Sequence, residues 1–318
     1  MRKRFFVTSI VSRDKLIQSS LELSKKGIKS KSALRINSER MGVIKLLAKS
    51  KKRIIITVSK NMPKSQFEKF KRIIDSLKKE TSNKLIRIVP LSENNYYNAF
   101  WERDVFTRLN KRVLSKSRAI DLNIVSQKEK RFFGDGGRVI NAGTVNGKEV
   151  LLVSHSPQHA SLESLNSQKK LVSDEIEMLK KRGYIVFELP GFDYKRLGRV
   201  KGSEASNRFF EHLDVFINTI PQKKVMLVDP DYYAKNSIKV KQIAQAIGFK
   251  LIKIPSSEKY FYPSNFLNIG NGEIIMDKKA SQTAKLLGEV GVRVYTTPST
   301  LKGNNLMFGG ARCFVNKD

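Results

Sequence analysis

Cys313 is the only cysteine among 318 residues, and it ends a Gly309-Gly310-Ala311-Arg312-Cys313 segment. A thiolate is a strong nucleophile once its proton is removed. The paired glycines leave the backbone free to bring it close to a reacting carbon. His212-Leu213-Asp214 supplies an imidazole that gives and takes protons near neutrality, with a carboxylate two residues on. In an extended strand that spacing puts both side chains on one side. Further acids stand in Trp101-Glu102-Arg103-Asp104 and Gly134-Asp135-Gly136-Gly137, and Asn265-Phe266-Leu267-Asn268 adds amides. Each feature also has a plain structural alternative. A lone cysteine serves as a small buried hydrophobe, and His212 as a satisfied strand histidine. Asp135-Gly136 reads equally as a turn, and Asp104 as a surface partner of Arg103 or Arg108. One cysteine excludes an intramolecular disulfide and a cysteine-built zinc site. His155, His159 and His212 are too scattered for a metal centre, so neither metal nor cofactor is expected.

The elements that would position these residues alternate between β-branched runs and helix-period segments. Arg53 to Val58 predicts a strand, and Lys64 to Lys79 a helix with Phe67, Phe70, Ile73, Ile74 and Leu77 on one stripe. Lys84 to Leu91 predicts the next strand. From Gly136 onward a strand–turn–strand–helix–strand unit recurs. One copy has strands at 138–140, 150–154 and 184–189, with a helix from Ser161 to Lys181. A second runs from a strand at His212 to Asn218 through Lys224 to Asp229, a helix from Ile238 to Ile247, and Lys250 to Ile254. A third runs from Phe266 to Tyr295, with its helix over Lys279 to Val290. Asn146-Gly147, Pro221-Gln222 and Asn271-Gly272 mark hairpin turns, and Gly183, Gly248 and Gly291 stop the helices. Units that cannot close alone pack around a common axis, so the site segments at their starts converge on one mouth. No linker splits the chain, which predicts a single domain over 1–318. Ser92 to Asn98 and Gly191 to Asn207 read as loops, the second long enough for a lid.

The ordered segments resemble the pentein superfamily of guanidine-modifying enzymes, above all its arginine deiminase and amidinotransferase branch. The family pattern has Trp-x-Arg-Asp, Glu-Gly-Gly, His-x-Asp and a terminal Gly-Gly-x-x-Cys, and this chain carries all four in order across 101–313. Asp135 stands where the pattern has Glu, Val105 where it has Pro or a small residue, and Phe314-Val315 follow the cysteine in place of Ser or Thr. The resemblance implies an α/β propeller of ββαβ repeats with pseudo-fivefold symmetry around a central active-site channel. It implies a deiminase that converts an arginine-like guanidinium to a ureido product and ammonia. Cys313 would be the nucleophile, and His212 the acid and base, with Asp214 and Asp135 beside them. Asp104, Trp101 and Asn268 would hold the substrate, Trp101 by cation–π contact. The same covalent thiouronium would give amidino transfer if an amine replaced water.

Charge points to a second class of partner. Lys and Arg number 61 against 29 Asp and Glu, a net +32, in a chain with 40% hydrophobic residues. Such a surface attracts polyanions without specificity. A non-catalytic pentein that binds RNA or a ribosome is therefore the alternative from another class; the retained Cys313 and its partners speak against it. No apolar run reaches the roughly 20 residues of a membrane span. Phe5 to Val11 is too short and polar for a signal peptide, so the expected location is the cytoplasm.

Overall fold

Two successive residues with positive φ make the tight turn that right-twisted strands accept. Asn146 and Gly147 have φ of 50° and 75°, Asn271 and Gly272 of 56° and 73°, and each pair closes an antiparallel hairpin. The computed structural model describes residues 5–10, 36–91, 106–109, 112–115, 136–155, 165–193, 209–210, 212–301, 310–313 and 315–317. Trp101, Asp104 and Asp135 lie outside them, as does most of the predicted lid.

Along the chain the elements are β1 (Phe5–Ser9), α1 (Ile36–Lys49), β2 (Arg53–Ser59), α2 (Lys64–Thr81), β3 (Ile86–Leu91), β4 (Phe106–Leu109), β5 (Arg112–Ser115), β6 (Val139–Val145), β7 (Lys148–Ser154), α3 (Leu165–Lys181), β8 (Ile185–Leu189), β9 (Phe192–Asp193), β10 (Phe209–Phe210), β11 (Ile217–Ile220), β12 (Val225–Val228), α4 (Pro230–Ala246), β13 (Lys250–Lys253), β14 (Leu267–Gly270), β15 (Glu273–Met276), α5 (Ser281–Glu289), β16 (Arg293–Thr296) and β17 (Val315–Lys317). Three sheets share one topology, β6-β7-β8, β11-β12-β13 and β14-β15-β16. In each, the first two strands are antiparallel, and a helix crosses over to a third strand parallel to the second. A fourth sheet, β17-β1-β2-β3, repeats the pattern from both ends of the sequence. There β17 pairs antiparallel with β1, and α1 leads to the parallel β2. The architecture is therefore mixed α/β, built from small sheets. Among the described residues no sheet is closed and four copies of the unit are seen, so they do not display a fivefold ring.

The middle strand of each sheet is buried on both faces, which is why it reads as an unbroken apolar run. Alternate residues then go to different cores. In β7, Leu151 and Val153 pack on Val172, Ile176 and Leu179 of α3. Val150 and Leu152 face Met226 and Val228 of β12 and Val240 and Ile243 of α4. In β12, Val225 and Leu227 face Ile274 and Met276 of β15 and Leu287 of α5. Ile275 of β15 joins Ile44 and Leu47 of α1 and Ile54 and Ile56 of β2. Each unit thus rests on the next through the next unit's helix. In α2 the stripe of Phe70, Ile74 and Leu77 is buried, but Ile73 is 43% exposed, because a helical step of one residue turns it off that face.

Two further boundaries differ from the sequence expectation. His212 to Val215 is not strand: Leu213–Val215 forms a 3-10 turn, closed by Phe216 N–H donating to Leu213 O at 2.8 Å, and β11 begins at Ile217. Helix α4 begins eight residues earlier than expected, at Pro230. Asp229 caps it by accepting from the N–H groups of Asp231 and Tyr232 at 3.0 and 3.2 Å, and Pro230 fills the first helical position, where its missing N–H costs nothing.

Candidate active site

Every unit's first strand is preceded by one of the segments whose side chains suggest chemistry. The Gly136–Arg138 turn leads into β6, His212 and its 3-10 turn into β11, Asn265 into β14, and Gly310 to Cys313 into β17. The shared topology brings these strand starts to one end of the molecule.

The contacts show how closely they meet. A Cβ at Gly137 would lie 2.7 Å from both Cγ and Nδ1 of His212 and 3.0 Å from Oδ1 of Asp214. Only glycine fits between that backbone and the imidazole. Arg138 anchors the same turn from below. Its buried guanidinium donates to Glu175 Oε2 of α3 at 3.1 Å and to Ser154 O at the end of β7 at 2.8 Å. The Asp214 carboxylate is fully buried, and Arg312 Nε sits 3.0 Å from its Oδ2. A buried carboxylate needs such a partner to offset its lost hydration. Arg312 also donates to Asn218 Oδ1 at 2.9 Å, which ties the cysteine segment to β11.

Asn265 joins these pieces. Its side chain is buried. Its Oδ1 accepts from Gly310 N–H at 2.8 Å and Cys313 N–H at 3.2 Å. Its Nδ2 donates to Asp214 O at 3.3 Å, and its own carbonyl accepts from Arg312 N–H at 3.1 Å. Gly310 is required for this approach, since a Cβ there would come 2.8 Å from Asn265 O. Cys313 N–H also reaches Gly310 O at 3.3 Å, folding the segment into a tight turn. The Cys313 side chain is 4% exposed. Behind the site, Tyr232 stacks on Phe216 with ring centroids 5.7 Å apart and donates its hydroxyl to Pro190 O at 2.8 Å. Burial pushes the Tyr232 phenol far above its ordinary value, so it remains a neutral donor.

Of the expected site residues, the structure brings His212, Asp214 and Cys313 into one network of touching segments. Asp104, Asp135 and Trp101 lie outside the described residues, although Asp135 directly precedes the Gly136–Arg138 turn. Asn268 lies in β14. It donates to Gln222 at 3.4 Å and accepts from Gly270 N–H at 2.9 Å, at the hairpin end of β14. The amide that reaches the cysteine turn is Asn265, three residues earlier. The placement of Asp214 also has a different cause from the one expected. A 3-10 turn, not strand alternation, brings it beside His212. No group of His, Cys, Asp or Glu among the described residues is arranged to hold a metal ion. As a chemical device the cluster offers a thiol, an imidazole and a buried carboxylate that already binds a guanidinium, that of Arg312.

No protein-family model matches the chain, and no curated protein is similar to it in sequence. Solved structures are similar in fold. The N-terminal domain of ArgZ, an arginine dihydrolase from the ornithine-ammonia cycle in Cyanobacteria, superposes with a TM-score of 0.51 at 16% identity, over 79% of this chain and 84% of that one. A dimethylarginine dimethylaminohydrolase, solved as an adduct with 4-chloro-2-hydroxymethylpyridine, gives 0.52 at 14% identity over all of both chains. Unliganded AgrE gives 0.59 at 14% identity, over 99% of this chain and 39% of that one. Repeated ββαβ sheets, site segments gathered at their strand starts, and these likenesses agree: the fold of this chain is the pentein fold, the one its motifs resemble.

Proposed function

We propose that the chain is a cysteine-dependent guanidine-modifying enzyme, a deiminase that converts an arginine-like guanidinium to a ureido group and ammonia. The observation that carries this reading is the Asn265 clamp, which ties the Cys313 turn to Asp214 while Gly137 seats against His212 and Asp214. Two of the similar enzymes support it. The ArgZ domain has been solved covalently bound to a reaction intermediate, and dimethylarginine dimethylaminohydrolase as an adduct.

A guanidinium stays protonated and delocalised up to about pH 12, so its carbon resists attack until carboxylates hold it in place. In this reading Asp135, Asp104 and Asp214 grip its N–H donors, and Trp101 covers its face. The Cys313 thiolate attacks the carbon and forms a C–S bond. His212, as imidazolium, protonates the departing nitrogen as the C–N bond breaks and ammonia leaves. His212 then takes a proton from water, whose oxygen attacks the thiouronium carbon. The C–S bond breaks, and the thiolate returns with the ureido product. Asn265 acts through the backbone of the cysteine turn and is a positioning residue. The chain from 1 to 318 is read as one catalytic unit. The fivefold ring belongs to the same proposal: four copies of the unit are described, and the isolated β4–β5 hairpin marks where a fifth would begin.

The test is ammonia and ureido-product formation from a panel of free, methylated, decarboxylated and peptide-borne arginines. Cys313→Ala is the control. Acid quench with one turning-over guanidine should leave an adduct on the Cys313 peptide by mass spectrometry. Undiminished turnover by Cys313→Ala ends the mechanism. A new guanidino product on adding an amine would reassign the second step to amidino transfer.

A further inference from the structure

Buried carboxylates in this molecule meet two kinds of partner. Asp229, Asp277 and Glu258 are met by backbone N–H groups. Asp229 accepts from two at the start of α4. Asp277 accepts from Lys279 N–H and Leu301 N–H, both at 2.7 Å. Glu258 accepts from Gln282 N–H at 2.7 Å and Thr283 N–H at 2.9 Å, at the start of α5. Glu175 and Asp214 instead face a guanidinium, that of Arg138 and that of Arg312. Both arginines adjoin the site: Arg138 follows Gly137, and Arg312 precedes Cys313. Arg138 reaches outward to α3, whereas Arg312 turns back into the site.

Arg312 joins three parts of that site. Its backbone N–H donates to Asn265 O at 3.1 Å. Its Nε lies 3.0 Å from Asp214 Oδ2, and its Nη1 donates to Asn218 Oδ1 at 2.9 Å. Both acceptors are fully buried. Asn218 is also pinned from behind, donating Nδ2 to Ser264 O at 2.8 Å and accepting from Thr219 N–H at 2.9 Å. The other oxygen of Asp214 lies toward the imidazole: the point where Gly137 would carry a Cβ is 3.0 Å from Asp214 Oδ1 and 2.7 Å from His212 Nδ1. One carboxylate thus stands between the guanidinium and the imidazole, and that guanidinium belongs to the neighbour of the thiol. The planar fork suits this task, because Nε and Nη donate in fixed, diverging directions to two acceptors at once. An ammonium on a flexible stem would supply the charge without the direction.

We propose that Arg312 is a positioning residue: acting through Asp214 and Asn218, it sets the placement of the Cys313 thiol against the His212 imidazole. It complements Asn265, which holds the backbone of the same turn. A turn held at Asn265 alone can pivot there. The head of Arg312 adds a second point of attachment, on the 3-10 turn and β11, and so fixes the angle of the segment that carries the thiol. The inference rests on the guanidine reading for the reaction it serves. The placement itself is a property of the thiol and is read without a substrate.

Two measurements on the full chain test it: steady-state kinetics with a guanidine that the wild type turns over, and the rate at which iodoacetamide alkylates Cys313 without substrate. Cys313 is the only cysteine, so alkylation reports on it alone, and a thiol is reactive as the thiolate that a neighbouring imidazole promotes. Arg312→Lys keeps a cation beside the buried Asp214 and so preserves the fold. Its kcat should fall by about 10-fold with KM within about threefold, because the charge stays and the direction is lost. Arg312→Ala should lose about 100-fold in kcat. Alkylation should slow in the same order. Asp229→Ala, which loosens α4 away from the site, sets the scale of a purely structural change and should leave both rates as in the wild type. Slower alkylation of the Arg312 variants, with a wild type that turns over no guanidine, would end the guanidine reading and keep the positioning role. Wild-type kcat in a folded Arg312→Lys, a loss carried by KM alone, or alkylation that is unchanged or faster would overturn the positioning role, whatever the substrate.

Discussion

One amide holds the cysteine turn in register. Asn265 Oδ1 is the acceptor for two N–H groups of the Gly310–Cys313 segment, and its Nδ2 fixes the carbonyl of Asp214. Removing it leaves buried donors unmet and lets the Cys313 thiol drift. A displacement of about 1 Å costs roughly 100-fold in rate. Asn265→Ala should therefore lower kcat by about 100-fold with KM little changed, and slow alkylation of Cys313 by iodoacetamide without substrate. Asn265→Asp keeps the acceptor and should fall between the two. Gly137→Ala probes the other side. Its methyl would press on the His212 ring and Asp214, and overpacking of this kind costs about 1–3 kcal/mol. Turnover should drop by about the same 100-fold factor, with a modest fall in melting temperature. A fully active Gly137→Ala would show that the imidazole does not need its present seat.

At the scale of elements, local chemistry explains most boundaries. Asp229 caps α4 with two accepted N–H bonds. Asp229→Ala should cost about 1 kcal/mol, seen as a melting temperature lower by about 2 °C with turnover at room temperature unchanged. The three ββαβ units are legible in the sequence because their turns and stops are local signals: Asn-Gly with paired positive φ, and Gly183, Gly248 and Gly291 in the left-handed region after their helices. Strand-core alternation is legible too, since a doubly buried strand must be apolar throughout. The His212–Val215 turn is not. Its residue types suit a strand, and what bends it is Asp214 reaching toward Arg312, which lies far along the chain. The true start of α4 escapes a periodicity reading because the apolar period resumes only after the non-helical Asn236 (φ −123°), while the capping Asp229-Pro230 pair lies earlier. Asn265 is visible as a residue but not as a clamp, because all of these bonds span large sequence separations.

For the whole molecule, the net +32 works against a cationic substrate, and Lys60, Lys64, Lys253, Lys278 and Lys279 stand exposed at the end where the site segments gather. Salt screens such repulsion beyond about 8 Å at physiological strength. The kcat/KM for a small cationic guanidine should therefore rise between about 50 and about 300 mM salt. A value independent of salt would mean that these lysines do not repel the substrate. The pairing of β17 with β1 has a consequence for biosynthesis. Cys313 lies two residues before a strand whose partner, Phe5–Ser9, leaves the ribosome roughly 300 residues sooner, and domains begin folding from the N-terminal side as they emerge. The first strand must wait for β17, so the thiol gains its neighbours only once Val315–Lys317 has emerged. A nascent chain that stops short of that strand would be chemically inert.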